Sequence, residues 1–177
     1  MAQDKAAVRA VLDQVKAAGR TALTAPEAKQ VCDAYAIPLP KEALATSADQ
    51  AASAASDIGF PVVMKIVSAD ILHKTEAGGV KIGIADAQSA RAAYEEILKH
   101  AKGYKADAKV DGVQIQQMLP SGAQEVLVGA FTDPSFGKLV GFGLGGILVE
   151  VLKDITFRLA PVTESQALAM LDGIKAK

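Results

Sequence analysis

Residues 65–80 read KIVSADILHKTEAGGV, and the reading of this stretch decides the fold. Just upstream, Pro61 opens an apolar, β-branched run to Val67 broken by Lys65 alone, which predicts a buried strand over 61–67. A loop carrying Asp70, His73, Lys74, Thr75, Glu76, Gly78 and Gly79 follows. Beyond it Val80, Ile82 and Ile84 alternate with Lys81 and Gly83, the pattern of a half-buried strand. A cationic anchor, a nucleophilic imidazole and a paired-glycine turn thus lie within sixteen positions. That combination suits phosphate handling better than packing.

Working outward, apolar residues at helical spacing (Val8, Val11, Leu12, Val15) predict a helix over 4–18, closed by Gly19. Thr24-Ala25-Pro26-Glu27 is a capping box opening a helix to about Tyr35 that buries Ala28, Val31 and Cys32. Ile37-Pro38-Leu39-Pro40 cannot continue a helix and reads as a connector or edge strand. Ser47 with Gln50 is a second capping box, starting an alanine-rich helix that closes near Gly59. Asp86 caps a helix presenting Ala90, Tyr94, Ile97, Leu98 and Ala101 on one side.

The polar segment 103–111 reads as the lobe boundary. Strands are expected over 113–118, 124–131, 138–143 and 147–151, the first three joined as an antiparallel meander by Pro120-Ser121-Gly122 and Asp133-Pro134-Ser135. Thr163 with Gln166 caps a last helix carrying Leu168, Leu171 and Ile174. Helices and strands mix without strict βαβ alternation, so the expected class is α+β.

At 177 residues the chain can bury one sizeable core, divided here into two lobes. Lys+Arg at 19 against Asp+Glu at 20, with no block of like charge, gives no case for nucleic acid or a membrane surface. Cys32, the only cysteine, permits no intrachain disulfide, and MAQDKAAVRA at the N-terminus lacks the apolar core of a signal peptide. A reducing, cytoplasmic setting is expected.

Each chemical signal has a plain structural alternative. Lys65 is either a lysine snorkelling from a strand or an ammonium held against an anion. Gly78-Gly79 is either an ordinary hairpin turn or a loop whose amides approach phosphate, and no GxxxxGK[ST] motif accompanies it. His73 is either an inert loop histidine or a nucleophile whose tautomer Asp70 or Glu76 could set. His100, near a helix C-terminus, reads as a solvated residue compatible with the helix dipole. Gly141-Phe142-Gly143-Leu144-Gly145-Gly146-Ile147 spells GxGxGG, but a strand is expected after it, so it is no dinucleotide fingerprint. It reads as a tight turn or a phosphate-approaching one.

In order, GFPVVMKIVSADILHKTEAGGVKIGI (59–84), QIQQMLPSGAQEVLVGAFTDPSFGKLVGFGLGGILVEVLKD (114–154) and FRLAPV (157–162) resemble the ATP-grasp domain of NDP-forming acyl-CoA synthetases. The type is the β-subunit of ADP-forming acetyl-CoA synthetase, in the succinyl-CoA synthetase superfamily, and the resemblance covers roughly 20–175. It implies an N-terminal helix (1–20), an N-terminal lobe (21–105) and a C-terminal lobe (106–177). The second lobe is expected to stop short, because the family's later DINP-type segment with its metal ligands does not follow.

The implied reaction joins acid, CoA and ATP to give acyl-CoA, ADP and phosphate through phosphohistidine. In this branch the histidine of an HK[ST]xxGGV motif relays the phosphoryl group, which places the role on His73. Lys65 matches the lysine on the nucleotide phosphates, and Gly78 and Gly79 match the loop over them. Gln116, Gln117, Met118 and Leu119 match the inter-lobe hinge that takes adenine and ribose, and Glu125 the acid just beyond. ATP/ADP is the implied ligand and Mg²⁺ the family's cofactor, with no metal ligand assigned in this chain. The implied partner is a CoA-binding subunit or domain carrying a second phosphohistidine. The chain is expected not to turn over alone, and a non-catalytic nucleotide- or partner-binding module is the alternative.

Overall fold

The computed structural model describes residues 4–120, 122–145 and 154–175. The chain divides into two compact units, Met1–Leu119 and Pro120–Lys177. The first contains α1 (Lys5–Ala17), α2 (Ala25–Ala34), β1 (Glu42–Ala45), α3 (Ala48–Ile58), β2 (Val62–Val67), β3 (Val80–Ile84), α4 (Ala87–Tyr104) and β4 (Gly112–Gln117). The second contains β5 (Val126–Asp133), β6 (Gly137–Leu144), β7 (Ile155–Leu159) and α5 (Glu164–Asp172). The architecture is α+β, as expected.

Local chemistry starts most helices where the caps predict. Asp4 accepts from Ala7 N, Asp86 from Ser89 N and Thr163 from Gln166 N. At α2 Glu27 Oε2 accepts from Thr24 N at 2.7 Å, and Arg20 reaches the same carboxylate. Helix α2 fully buries none of its residues, so Ala28, Val31 and Cys32 are only partly covered. At α3 Ser47 accepts from Gln50 N, but the Gln50 side chain accepts from Thr46 N and Thr46 Oγ1, one residue earlier than a capping box requires.

The first unit's sheet has the order β1-β4-β2-β3, with every pair antiparallel. Helices α3 and α4 cover one face, packing Ala51, Ala55, Ala90, Tyr94 and Ile97 against Val62, Met64, Ile66, Val113 and Ile115. Strand β4 lies between β1 and β2, so the expected division at 103–111 is corrected: the chain crosses between units at Leu119/Pro120. The expected meander is corrected for the same reason, since β4 pairs with β1 and β2 while β5 pairs with β6. Residues 37–40 form a connector, and the first strand is Glu42–Ala45, whose Glu-Ala-Leu-Ala composition carries no β signal.

Strand β3 departs from simple alternation. Val62 pairs with Ile84 but Met64 with Lys81, so β3 holds one extra residue, accommodated at Gly83 with φ +74°. Lys81 therefore joins the helix-covered face and pairs with Glu96 of α4, while Ile82 is 68% exposed.

In the second unit β6 is the middle strand, flanked by β5 and β7. Gly141 and Gly143 lie within β6 and not in a turn. A Cβ on Gly143 would stand 2.6 Å from the Asp154 carbonyl oxygen, and one on Gly141 would stand 3.0 Å from Phe157. Their smallness serves strand-to-strand approach. The expected strand over 147–151 lies outside the described residues. Helix α5 buries Met170 and leaves Leu168 and Leu171 largely exposed, contrary to the apolar face its spacing predicts. Among the described residues no helix is long and apolar enough to cross a membrane.

Candidate functional site

The face of the first sheet opposite α3 and α4 carries a polar cluster. Period-2 alternation puts Lys65 of β2, Gln114 and Gln116 of β4, and Glu42 of β1 on this face, with Lys65 directly opposite Gln114 and Gln116 directly opposite Glu42. Lys65 Nζ donates to Gln116 Oε1 at 2.7 Å. Gln114 Nε2 and Gln116 Nε2 both donate to Glu42 Oε2 at 2.8 Å. Gln114 is 6% exposed, and its carboxylate partner accounts for an amide so deep in the sheet.

Lys65 meets no carboxylate at ion-pair distance among the described residues. Burial pushes its ammonium below the ordinary lysine value, the nearby Lys74 charge pushes the same way, and the Glu42 charge partly offsets both. A half-buried cation solvated by one neutral oxygen is electrostatically under-compensated, which is the condition for attracting an anion.

The loop 70–79 forms the wall beside it. Lys65, Leu72, His73, Lys74, Thr75, Glu76 and Val80 line one cleft of ≈ 500 Å³. His73 is 73% exposed, and Glu76 Oε1 stands 3.8 Å from its Nδ1, close enough for charge interaction and too far for a hydrogen bond. Asp70 does not set the His73 tautomer. Its Oδ2 accepts from Lys109 N at 2.8 Å and its Oδ1 lies 3.5 Å from Lys105 Nζ, which staples the loop to the segment before β4. The Lys109 amide, then the Lys105 charge, hold the Asp70 carboxyl below its ordinary value.

The glycine pair is engaged differently from the phosphate-approach reading. Gly78 N donates to Thr75 O at 3.0 Å and Gly79 N to Lys74 O at 2.8 Å, so both amides close the turn. Gly78 has φ +62°, and a Cβ there would lie 2.8 Å from His100 Nδ1. A Cβ on Gly79 would lie 2.5 Å from Ile66 Cγ2 in the core. His100 is not merely solvated: its Nδ1 sits 3.3 Å from the Gly78 carbonyl oxygen, which accepts when that nitrogen is protonated.

Lys65 and His73 therefore share one cleft, and Gln116 joins through Lys65. Gln117 points to the other side, where its Oε1 accepts from Lys41 N at 3.3 Å, because successive strand residues alternate faces. Met118 and Leu119 follow β4 with exposed side chains. Glu125 belongs to the second unit, where its carbonyl oxygen accepts from Gly145 N at 2.8 Å. Glu42 and Gln114 carried no motif. The available signal was the Gln114/Gln116 alternation, which puts two amides on one face of a strand. Among the described residues no three His, Cys, Asp or Glu side chains gather as a metal site, and no protein ligand for Mg²⁺ is assigned.

A second cleft, of ≈ 400 Å³, lies between α5 and β5–β6. Its wall is mainly apolar (Val128, Val140, Phe142, Leu168, Leu171), with Glu164 as its charged residue, so it offers no cationic anchor.

Comparison with known proteins identifies the family. The ATP-grasp domain family model matches residues 14–177. The chain is 48% identical over 171 residues to the β-subunit of acetate–CoA ligase [ADP-forming] I of Pyrococcus furiosus, covering 97% of this chain and 73% of that one. It is 46% identical to the β-subunit of the second such ligase of that organism, covering 94% of this chain and 70% of the relative. A crystal structure from Pyrococcus horikoshii superimposes with a TM-score of 0.91 at 45% identity, over 97% of this chain and 73% of its own. The dinucleotide forming acetyl-coenzyme A synthetase 1 of Ca. Korarchaeum cryptofilum, solved with coenzyme A and Ca-AMPCP, superimposes at 0.88 with 40% identity, over 95% and 73%. The chain belongs to the ATP-grasp domain family, to the β-subunit type of the ADP-forming acetate–CoA ligases.

Proposed function

We propose that this chain is the nucleotide-binding, phosphoryl-relay component of an ADP-forming acyl-CoA synthetase, in which acid, CoA and ATP give acyl-CoA, ADP and phosphate. The observation that carries the reading is the shared cleft: a half-buried Lys65 with no carboxylate partner among the described residues and an exposed His73 beside it. Lys65 takes the nucleotide phosphates. His73 attacks the γ-phosphorus with a neutral ring nitrogen, the bond to the β–γ bridging oxygen breaks, and ADP leaves. The phosphoryl group then passes to a second histidine on a CoA-binding partner. The β-subunit names of the relatives support that two-part arrangement. The segment Gln116, Gln117, Met118 and Leu119, at the end of β4, serves adenine and ribose.

Because the Gly78 and Gly79 amides close the turn, the glycine pair shapes the loop. The amides of Lys74, Thr75 and Glu76 donate to no group among the described residues and are the ones left for phosphate oxygens. Mg²⁺, when bound, neutralises charge on the phosphates. The proposed compartment is the cytoplasm.

Incubation with γ-labelled ATP, Mg²⁺ and the CoA-binding partner should place label on His73, and His73→Asn should abolish it. Label that survives the substitution would exclude the relay. ATP binding with no labelling at all, partner present, would identify a non-catalytic binding module.

A further inference from the structure

Glu42 lies outside every motif, yet its carboxylate is the hub of the polar face. Its Oε2 accepts from Gln114 Nε2 and Gln116 Nε2, both at 2.8 Å, and Gln116 Oε1 accepts from Lys65 Nζ at 2.7 Å. An amide has one acceptor end and one donor end. With its NH₂ on Glu42, the Gln116 oxygen must face Lys65; reversed, NH₂ would meet ammonium and the oxygen would meet carboxylate. Only one orientation serves both neighbours.

We infer that Glu42 is a positioning residue that, through the Gln116 amide, holds the Lys65 ammonium in place for an anionic ligand. This rests on Lys65 being the nucleotide-phosphate lysine. The neutral amide between the two charges matters. A direct Glu42–Lys65 ion pair would quench the cation, whereas the relay fixes its geometry and keeps the carboxylate one side chain away. Gln114 donates to the same oxygen and gives the carboxylate a second anchor. The charged or titratable neighbours facing Lys65 are Glu42 on β1 and Lys74, His73 and Glu76 in the loop.

Two measurements on the full chain test this. The first is competitive acylation of lysines followed by mass spectrometry, with the exposed Lys99 as internal standard. The second is ADP affinity by calorimetry. The variants are Glu42→Ala, Glu42→Gln, Gln116→Ala, Lys65→Met and the Glu42→Ala/Gln116→Ala double. Relative acylation of Lys65 should change at least about threefold in Glu42→Ala and in Gln116→Ala, with no further change in the double. ADP affinity should fall about tenfold in Glu42→Ala, again without addition in the double. Glu42→Gln keeps an acceptor oxygen and should retain part of that affinity. Wild-type acylation and affinity in Glu42→Ala, or losses in the double equal to the sum of the singles, would overturn the inference. If Glu42→Ala does not fold, Glu42→Gln and Gln116→Ala decide: wild-type Lys65 acylation in both overturns it. Should acylation follow the expected pattern while Lys65→Met binds ADP normally, positioning stands and the phosphate assignment fails. The reverse outcome, with Lys65 essential and the Glu42 variants silent, retains the phosphate assignment and removes the positioning role.

Discussion

Replacing Lys65 by methionine separates stability from function with opposite expectations for the two. In the native protein the ammonium is half-buried and held by one hydrogen bond, from Nζ to Gln116 Oε1 at 2.7 Å. Burial lowers its pKa from the ordinary 10.5. The unfolded chain therefore binds more protons than the native one between the two values, so stability rises with pH through that window. At neutral pH the group opposes folding. Methionine fills nearly the same volume and removes the desolvated charge, at the cost of one hydrogen bond worth about 0.5–1.5 kcal/mol. These terms offset, and the urea-unfolding free energy should stay within about 1 kcal/mol of wild type. A phosphate contact has no such offset: losing a charge-assisted hydrogen bond of about 1.5–3 kcal/mol weakens ADP binding roughly 10- to 150-fold. Urea titration followed by circular dichroism measures the first quantity and calorimetry the second. A variant destabilised by well over about 1 kcal/mol, with ADP affinity unchanged, would show that Lys65 is a structural cation with no phosphate contact.

Three further outcomes follow from packing and charge. The Arg20 hydrogen bond, helped by Thr24, holds the Glu27 carboxyl at about 2 against an ordinary 4.5, so its contribution is full above that value and lost as pH falls towards 2. Glu27→Gln should cost about 1–2 kcal/mol at neutral pH and flatten stability over that acid range, as acid titration of the melting temperature would show. Gly79→Ala drives a Cβ to 2.5 Å from Ile66 Cγ2, a fully buried side chain, and should cost about 1–3 kcal/mol in urea unfolding. Gly143→Ala meets the Asp154 carbonyl oxygen at 2.6 Å, and amide exchange should accelerate in β6 and β7 while β2 and β4 keep their protection. Equal acceleration in both units would mean that the substitution acts globally.

Most helices were legible because their signals are local. Thr24 with Glu27, Thr163 with Gln166, and Asp86 lie within one turn of the groups they satisfy, so spacing alone identifies them. The strand over 62–67 was legible from its apolar run, and the shared cleft of Lys65 and His73 was legible because a short stretch leads from the strand that carries the lysine to the loop that carries the histidine. Glu42–Ala45 was not legible. Four residues of helix-favouring composition become a strand only because β4 offers them a ladder.

The α+β class, the capped helices, the closeness of Lys65 and His73 along the chain, and the family are all readable from the amino-acid order. Which side chains share a face follows from strand pairing. Strand β4, distant in sequence, inserts between β1 and β2 and carries Gln114 and Gln116 to Lys65 and Glu42. Within the loop, the Gly78 and Gly79 amides close a turn on Thr75 O and Lys74 O, and the Gly79 position packs against Ile66. Strand partners and their register join segments far apart in the chain, and no local period encodes them.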